Sequence, residues 1–160
     1  MYGLILKVIM LSKFEQVKTA LETNSVIIDQ LLQMRQNLLS SYCSIAGLKS
    51  NQAFPSYKEV NTFCQDLIDY VSTGHFKVYN EIIDHWKSIS FQPTSKINRL
   101  YLELSHITEK FLNFSDTYTL SSNLDVYEQF DKDLSFLGEC LEKRFALEDL
   151  LIKEIEPTLL

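Results

Sequence analysis

The sequence predicts an all-α fold, an antiparallel up-and-down helical bundle of four main helices plus a short N-terminal helix. Apolar residues recur at helical spacing in each long segment, and no stretch of any length shows the alternation that is typical of β-strands. Only 4 of the 160 residues are Gly and 3 are Pro, whereas 46% are hydrophobic, which argues against disorder and against a turn-rich β fold. We therefore expect a single helical domain over residues 1–160.

Two helices are predicted before residue 48. Ser12 and Glu15 form a capping-box pattern that opens the short first helix. The second helix is capped by Asn24 or Ser25 and stops at Gly47, a typical residue after a helix end. Its core stripe consists of Ile28, Leu31, Leu32, Arg35, Leu38, Leu39, Tyr42 and Ile45.

The central helix is predicted to cover residues 57–87 without a break. Ser56 and Glu59 form a second capping box at its start. Its core stripe consists of Val60, Cys64, Leu67, Val71, His75, Val78 and Ile82. Gly74 lies inside this stripe, where glycine costs roughly 1 kcal/mol relative to alanine. We therefore expect another segment of the chain, or a partner, to approach the helix closely at Gly74.

Two further helices complete the predicted bundle. Thr94 caps the first of them, Ser121, Ser122 and Asn123 mark the connection, and Pro157 limits the second. The first carries the stripe Ile97, Leu100, Tyr101, Leu104, Ile107, Phe111 and Phe114. The second carries Phe130, Leu134, Leu137, Leu141, Phe145, Leu151 and Ile155.

Two arginines interrupt these apolar stripes, Arg35 in the second helix and Arg144 in the last. A buried arginine requires a carboxylate partner, and Glu148 lies one helical turn after Arg144. We expect either ion pairs that lock the bundle or stems that pass along apolar surface to reach water. The three cysteines are far apart and sit in apolar helical patterns, which predicts free buried thiols and a reducing cytoplasm: Cys43, Cys64 and Cys140.

A second stripe on the central helix faces away from the core. Asp69, Phe76 and Ile83 recur at i, i+7 and i+14 and point outward if the helix is α-helical throughout. Either another helix of the same chain covers this stripe, or the stripe is a docking surface for another protein. Ser72 and Thr73 lie beside it, and the five residues together form the candidate partner-binding surface.

The net charge of −6 resides entirely in one part of the chain, because residues 125–156 contain 10 acidic and 4 basic residues. Nucleic acid is disfavoured as a direct partner, since phosphate contacts need clusters of Lys and Arg. A basic protein partner is favoured. The apolar N-terminus is too short for a transmembrane helix and lacks the features of a signal peptide, so no membrane association is expected.

Enzymatic and metal-binding functions have little support in the residue pattern. Glu103 and His106 match one carboxylate–histidine pair of a di-iron bundle, but the second pair that such a site needs is absent. His75 is a candidate for phosphotransfer, but it points toward the core stripe, and Lys77 sits on another face. No catalytic constellation or Gly-rich phosphate loop occurs, so we expect no enzyme activity, no metal and no cofactor.

Three blocks of the sequence resemble the Rsd/AlgQ family, the regulator-of-sigma-D anti-sigma factors of bacteria. The first block comprises residues 28–29, 34–39, Tyr42 and Gly47. The second comprises residues 63–70, Ser72, residues 74–76 and Tyr79. The third comprises residues 137–139, 141–142, 144–145, 147–149 and 151–152.

The resemblance implies an all-α cytoplasmic protein that binds the primary sigma factor, chiefly its C-terminal domain, and blocks its docking on RNA polymerase and its reading of promoters. It also implies that Asp69 occupies a position where an acid meets sigma. The family start lines up with Met10, so residues 1–9 are expected to be an extension that is disordered or not translated. The alternatives are an adaptor for another basic regulatory protein, and a histidine phosphotransfer or metal-carboxylate bundle.

Overall fold

A computed structural model of the protein describes residues 26–47, 55–119 and 128–159. These residues form five α-helices, and no strand occurs among them. The elements are α1 (Val26–Ile45), α2 (Tyr57–Ser72), a π-helical turn (Thr73–Val78), α3 (Tyr79–Ser88), α4 (Ser95–Thr119), α5 (Phe130–Ile155) and a final 3₁₀ turn (Glu156–Thr158). The predicted N-terminal helix, its capping box, and the connection at Ser121, Ser122 and Asn123 lie outside the described residues.

Neighbouring helices in the bundle run antiparallel. The Tyr57 hydroxyl at the start of α2 donates to the Thr119 carbonyl at the end of α4, 2.9 Å away. The Tyr42 hydroxyl near the end of α1 likewise donates to the Leu134 carbonyl near the start of α5, also at 2.9 Å. Each bond joins the start of one helix to the end of another, which is the arrangement of antiparallel neighbours in a bundle. The predicted up-and-down bundle is therefore confirmed.

The helix ends follow the capping patterns in the sequence. At the start of α2, the Glu59 amide donates to Ser56 Oγ at 3.3 Å, and the Ser56 amide donates to Glu59 Oε2 at 2.8 Å. At the start of α4, the Ile97 amide donates to Thr94 Oγ1 at 3.2 Å. Gly47 follows α1 with φ of 74°, a conformation that favours glycine. Side-chain caps thus satisfy backbone amides that the first helical turn leaves without partners.

The described stripes meet in one apolar core. Phe63 of α2 lies between Tyr42 of α1 and Phe114 of α4, with its ring centroid 6.1 Å from each and edge-on to both. All seven predicted core residues of α5 are buried, and on α4 only Tyr101 is partly exposed. Burial of this kind contributes roughly 1.5–3 kcal/mol for each large apolar side chain. Two of the predicted thiols, those of Cys43 and Cys64, are buried as expected, whereas Cys140 is only half-buried.

The central rod, defined as α2, the π turn and α3, is helical from residue 57 to 88. Its continuity through Gly74 confirms the predicted unbroken helix, but the prediction of a uniform α-helix is wrong because residues 73–78 are π-helical. A Cβ added at Gly74 would lie 3.4 Å from Leu31 Cδ1 of α1. The expected close approach at this glycine is therefore a contact within the bundle.

The C-terminal end of the chain is held against the end of the rod. Pro157 lies in the 3₁₀ turn that follows α5, as expected for a residue that limits a helix. Trp86 Nε1 donates to Thr158 Oγ1 at 2.7 Å, and His85 Nε2 lies 2.8 Å from the Thr158 carbonyl oxygen. None of the helices in the described ranges has the length and apolar composition needed to cross a membrane.

Candidate functional site

The five residues of the candidate surface lie along the central rod but do not share one environment. Asp69 and Ser72, at the end of α2, are exposed, and Thr73, which begins the π turn, is half-buried. The side chain of Phe76 lies outside the described part of the structure. Ile83 of α3 is partly buried and packs against the core. The structure thus brings Asp69, Ser72 and Thr73 together. The prediction that Ile83 points outward with Asp69 is wrong, because Ile83 packs against the core.

The π turn explains the position of Ile83. A π-type hydrogen bond encloses one more residue than an α-type bond, so residues after the turn are displaced by about one position, or about 100° around the axis. The Tyr79 amide bonds to the Gly74 carbonyl in this i to i+5 pattern. Ile83 is rotated toward the core as a result, beside the buried Ile82. A helical wheel with a uniform 100° step contains no such displacement.

Asp69 has a carboxylate oxygen available to a partner. Gln65 Nε2 donates to Asp69 Oδ1 at 2.9 Å, which orients the carboxylate on the exposed face. Asp69 Oδ2 makes no hydrogen bond with any other described residue. Asp66, one turn earlier, differs because its Oδ2 accepts a hydrogen bond from the Ser41 hydroxyl of α1. Of these two acids, Asp69 is the one suited to meet a cationic side chain of another molecule.

A buried network of charges lies behind this surface, centred on Glu148 of α5. Arg35 Nη2 of α1 donates to Glu148 Oε2 at 3.0 Å, and Arg144 Nε donates to Glu148 Oε1 at 2.8 Å. Arg35 Nη1 also donates to Asp149 Oδ1 at 2.6 Å. The hydroxyl of Tyr70, the neighbour of Asp69, donates to Glu148 Oε2. Of the two alternatives expected for the arginines, both Arg35 and Arg144 take the first and form buried ion pairs between and within helices.

The network is balanced in charge and makes further contacts with an aromatic ring and a hydroxyl. Two arginines face two carboxylates, so the formal charges cancel. The Arg35 guanidinium lies 4.8 Å from the centre of the Phe145 ring, and Arg144 Nη1 donates to Thr108 Oγ1 of α4 at 2.9 Å. Burial, and then the nearby Glu148 carboxylate, raise the pKa of Tyr70 well above its ordinary value, so the phenol remains protonated and donates.

Sequence reasoning identified the two arginines and Glu148 but missed Tyr70 and Asp149. Tyr70 lies beside the core stripe of α2. The only signal for its role was that a buried tyrosine hydroxyl usually needs a hydrogen-bond partner. Asp149 directly follows Glu148. The only signal for its role was that Arg35, on another helix, needed a carboxylate partner that its own helix did not supply. Through the Tyr70 hydroxyl, the network ties the end of α2 to α5 from inside, directly behind the exposed Asp69.

The structure shows no metal centre among the residues that it describes. No group of three or more His, Cys, Asp or Glu side chains in the described ranges is arranged to hold a metal ion. Three residues of the predicted surface, Asp69, Ser72 and Thr73, place a carboxylate and two hydroxyls on the rod, with a charge-balanced network behind them. Such an arrangement can pair with cations and form hydrogen bonds across an interface.

Comparison with known proteins assigns the chain to a family. Residues 10–156 match the family described as regulator of RNA polymerase sigma(70) subunit, Rsd/AlgQ. The Regulator of sigma D of Yersinia enterocolitica is 34% identical over 148 residues, which cover 90% of this chain and 89% of the relative. That of Pectobacterium atrosepticum is 33% identical over 150 residues, or 91% and 98% of the two chains. The chain therefore belongs to the Rsd/AlgQ family of regulators of the RNA polymerase sigma(70) subunit.

Proposed function

We propose that this chain is an anti-sigma factor that binds the primary sigma factor of bacterial RNA polymerase, chiefly through sigma's C-terminal promoter-reading domain. The observation that supports this most strongly is membership of the family over residues 10–156. Binding sequesters the surface that sigma uses to dock on core polymerase and to read promoters. The chain acts by stoichiometric binding, without a catalytic step, and it does so in the cytoplasm, where its partner works.

The charge of the chain suits such a partner. A domain that grips DNA through a helix-turn-helix presents Lys and Arg to phosphates. The four charges of the buried network cancel, so the net charge of −6 belongs to the rest of the chain. A negatively charged protein and a basic domain attract each other at long range, which accelerates their encounter.

Asp69, Ser72, Thr73 and Phe76 are the proposed contact residues on the central rod. Asp69 is exposed and is oriented by Gln65, and its Oδ2 accepts no hydrogen bond from the other residues that the structure describes. Its role is to pair with an Arg or Lys of the sigma domain. Ser72 and Thr73 supply hydroxyl groups one turn further along the rod, close to Asp69.

Size-exclusion chromatography of mixtures of purified proteins tests this function. We expect the chain to co-elute with the full-length primary sigma factor and with its isolated C-terminal domain. Sigma that lacks this domain serves as the control and should bind much more weakly. Core polymerase added to the complex should compete with the chain for sigma. Failure of the chain to bind full-length sigma would exclude the proposed function.

A further inference from the structure

The π turn determines which residues of α3 share a face with Asp69. In a uniform α-helix, residue 81 would lie about 120° around the axis from residue 69. The additional residue in the π turn reduces this angle to about 20°, and it moves residue 83 to nearly the opposite side. Asp69 of α2 and Glu81 of α3 therefore belong to one outer face of the rod.

The observed burial agrees with this register. After the turn begins, the described residues with buried side chains or backbone are Gly74, Val78, Tyr79, Ile82 and Trp86. Thr73, Lys77 and Glu81 form a separate line at intervals of four residues, in which Thr73 is half-buried and Lys77 and Glu81 are exposed. The outer face thus continues from Asp69 through Thr73 and Lys77 to Glu81, and Ile83 is not part of it.

Glu81 presents an exposed carboxylate on α3. It makes no ion pair or side-chain hydrogen bond with any other described residue. The next acid along the rod differs, because Asp84 Oδ1 lies 3.3 Å from Lys87 Nζ. At a rise of 1.5 Å per residue, Asp69 and Glu81 are separated by roughly 15–18 Å along the rod. Two exposed carboxylates at this separation can meet basic residues on successive parts of one helix-turn-helix.

We infer that Glu81 is a further contact residue for the sigma factor's C-terminal domain, where it pairs with a Lys or Arg beyond the one that Asp69 meets. The inference rests on the proposed function and extends the contact surface across the π turn. The occupant is basic because the domain must bind DNA phosphates, and the surface is continuous with the one at Asp69. A charge near the edge of an interface acts mainly on the association rate and its dependence on salt.

Charge reversal at Glu81, with a matched control, tests the inference. Glu109→Lys is the control, because Glu109 is exposed on α4 and its reversal changes the net charge by the same amount. Stopped-flow measurement with the purified sigma C-terminal domain at low salt gives the association rate constants. We expect Glu81→Lys to slow association about tenfold relative to Glu109→Lys. Ile83→Ala should leave the association rate of the folded protein unchanged.

The outcomes separate this inference from the proposed function. Suppose that the wild type and Glu109→Lys bind the domain and that Asp69→Lys binds it weakly. If Glu81→Lys then associates as fast as Glu109→Lys, the contact at Glu81 is excluded while the proposed function stands. If Ile83→Ala slows association and Glu81→Lys does not, the outer face follows an uninterrupted α-helical register and the inference fails. If the wild type does not bind the domain, both the function and the inference fail.

Discussion

Glu148 connects three helices through a single buried carboxylate. It accepts hydrogen bonds from Arg35 of α1, Tyr70 of α2 and Arg144 of its own helix. Arg35, Arg144 and Glu148 each have no more than 2% of their surface exposed. None of these three charges can therefore reach water if its partner is lost. Loss of one partner from a buried ion pair leaves the remaining charge uncompensated, which is more costly than loss of the attraction itself.

Glu148→Ala should lower the free energy of unfolding by about 3–5 kcal/mol, because two guanidinium groups would lose their shared partner in the core. Asp149→Ala is the matched comparison, since Asp149 is half-buried and Arg35 would keep Glu148. We expect a loss of about 1 kcal/mol for Asp149→Ala. Urea unfolding monitored by circular dichroism measures both. Equal losses for the two variants would contradict a central role for Glu148.

Phe76→Ala should weaken sigma binding by about 2 kcal/mol or more, as expected for an aromatic residue at the centre of an interface. Its melting temperature should stay close to that of the wild type if the ring faces solvent, because surface substitutions usually change stability by about 0.5 kcal/mol or less. A thermal melt beside a binding titration tests this prediction. A lower melting temperature, with binding lost only in proportion to the loss of folded protein, would show instead that the chain itself covers the ring.

At the scale of the elements, the central rod shows what local sequence can and cannot predict. Capping by Ser56 and the core stripe depend on contacts within one or two turns. The sequence predicts the cap correctly, and it predicts every member of the stripe whose side chain the structure describes; the side chain of His75 lies outside that part. The π turn depends instead on how α2 and α3 both reach the core while Leu31 packs against Gly74. Because this packing comes from another helix, the periodicity of the rod could not reveal the displacement of Ile83.

Gly74→Ala should leave the free energy of unfolding unchanged or raise it by up to about 1 kcal/mol, because alanine favours helical structure. The added methyl group would make an ordinary contact of 3.4 Å with the flexible end of Leu31. Gly74→Leu should lower the free energy of unfolding by about 1–3 kcal/mol, because the larger side chain is too big for the space between the rod and α1. Urea titrations of both variants test this pair. A Gly74→Ala loss above about 1 kcal/mol would mean that the π turn requires glycine.

For the whole molecule, charge and fold class were accessible from composition and periodicity, whereas the partner was not. The acidic balance of residues 125–156 predicts the sign of a partner's charge but not which basic protein it is. Resemblance in residues 63–70 and the other two blocks indicated sigma, and the match over residues 10–156 supports it. The buried network could be predicted only in part, because Arg35 and Asp149 lie 114 positions apart in the sequence.

Association with the sigma factor should slow markedly as ionic strength rises, because a negatively charged chain and a basic domain attract each other over distances that salt screens. At 0.1 M salt the screening length is about 10 Å, so most long-range attraction is lost above that concentration. Stopped-flow measurements at low and high salt give the rates. An association rate that does not respond to salt would remove the electrostatic part of the account and leave the binding itself intact.

The central claim is that the exposed face at Asp69 binds the C-terminal domain of the primary sigma factor. Calorimetric titration of that domain into the wild type, Asp69→Lys and Glu109→Lys tests it most directly. Reversal at Asp69 should weaken binding by about 2–5 kcal/mol, because a repelled charge would remain in the contact. Glu109→Lys makes the same change in net charge on α4 and should bind nearly as tightly as the wild type. Equal affinities of folded Asp69→Lys and Glu109→Lys would contradict the claim.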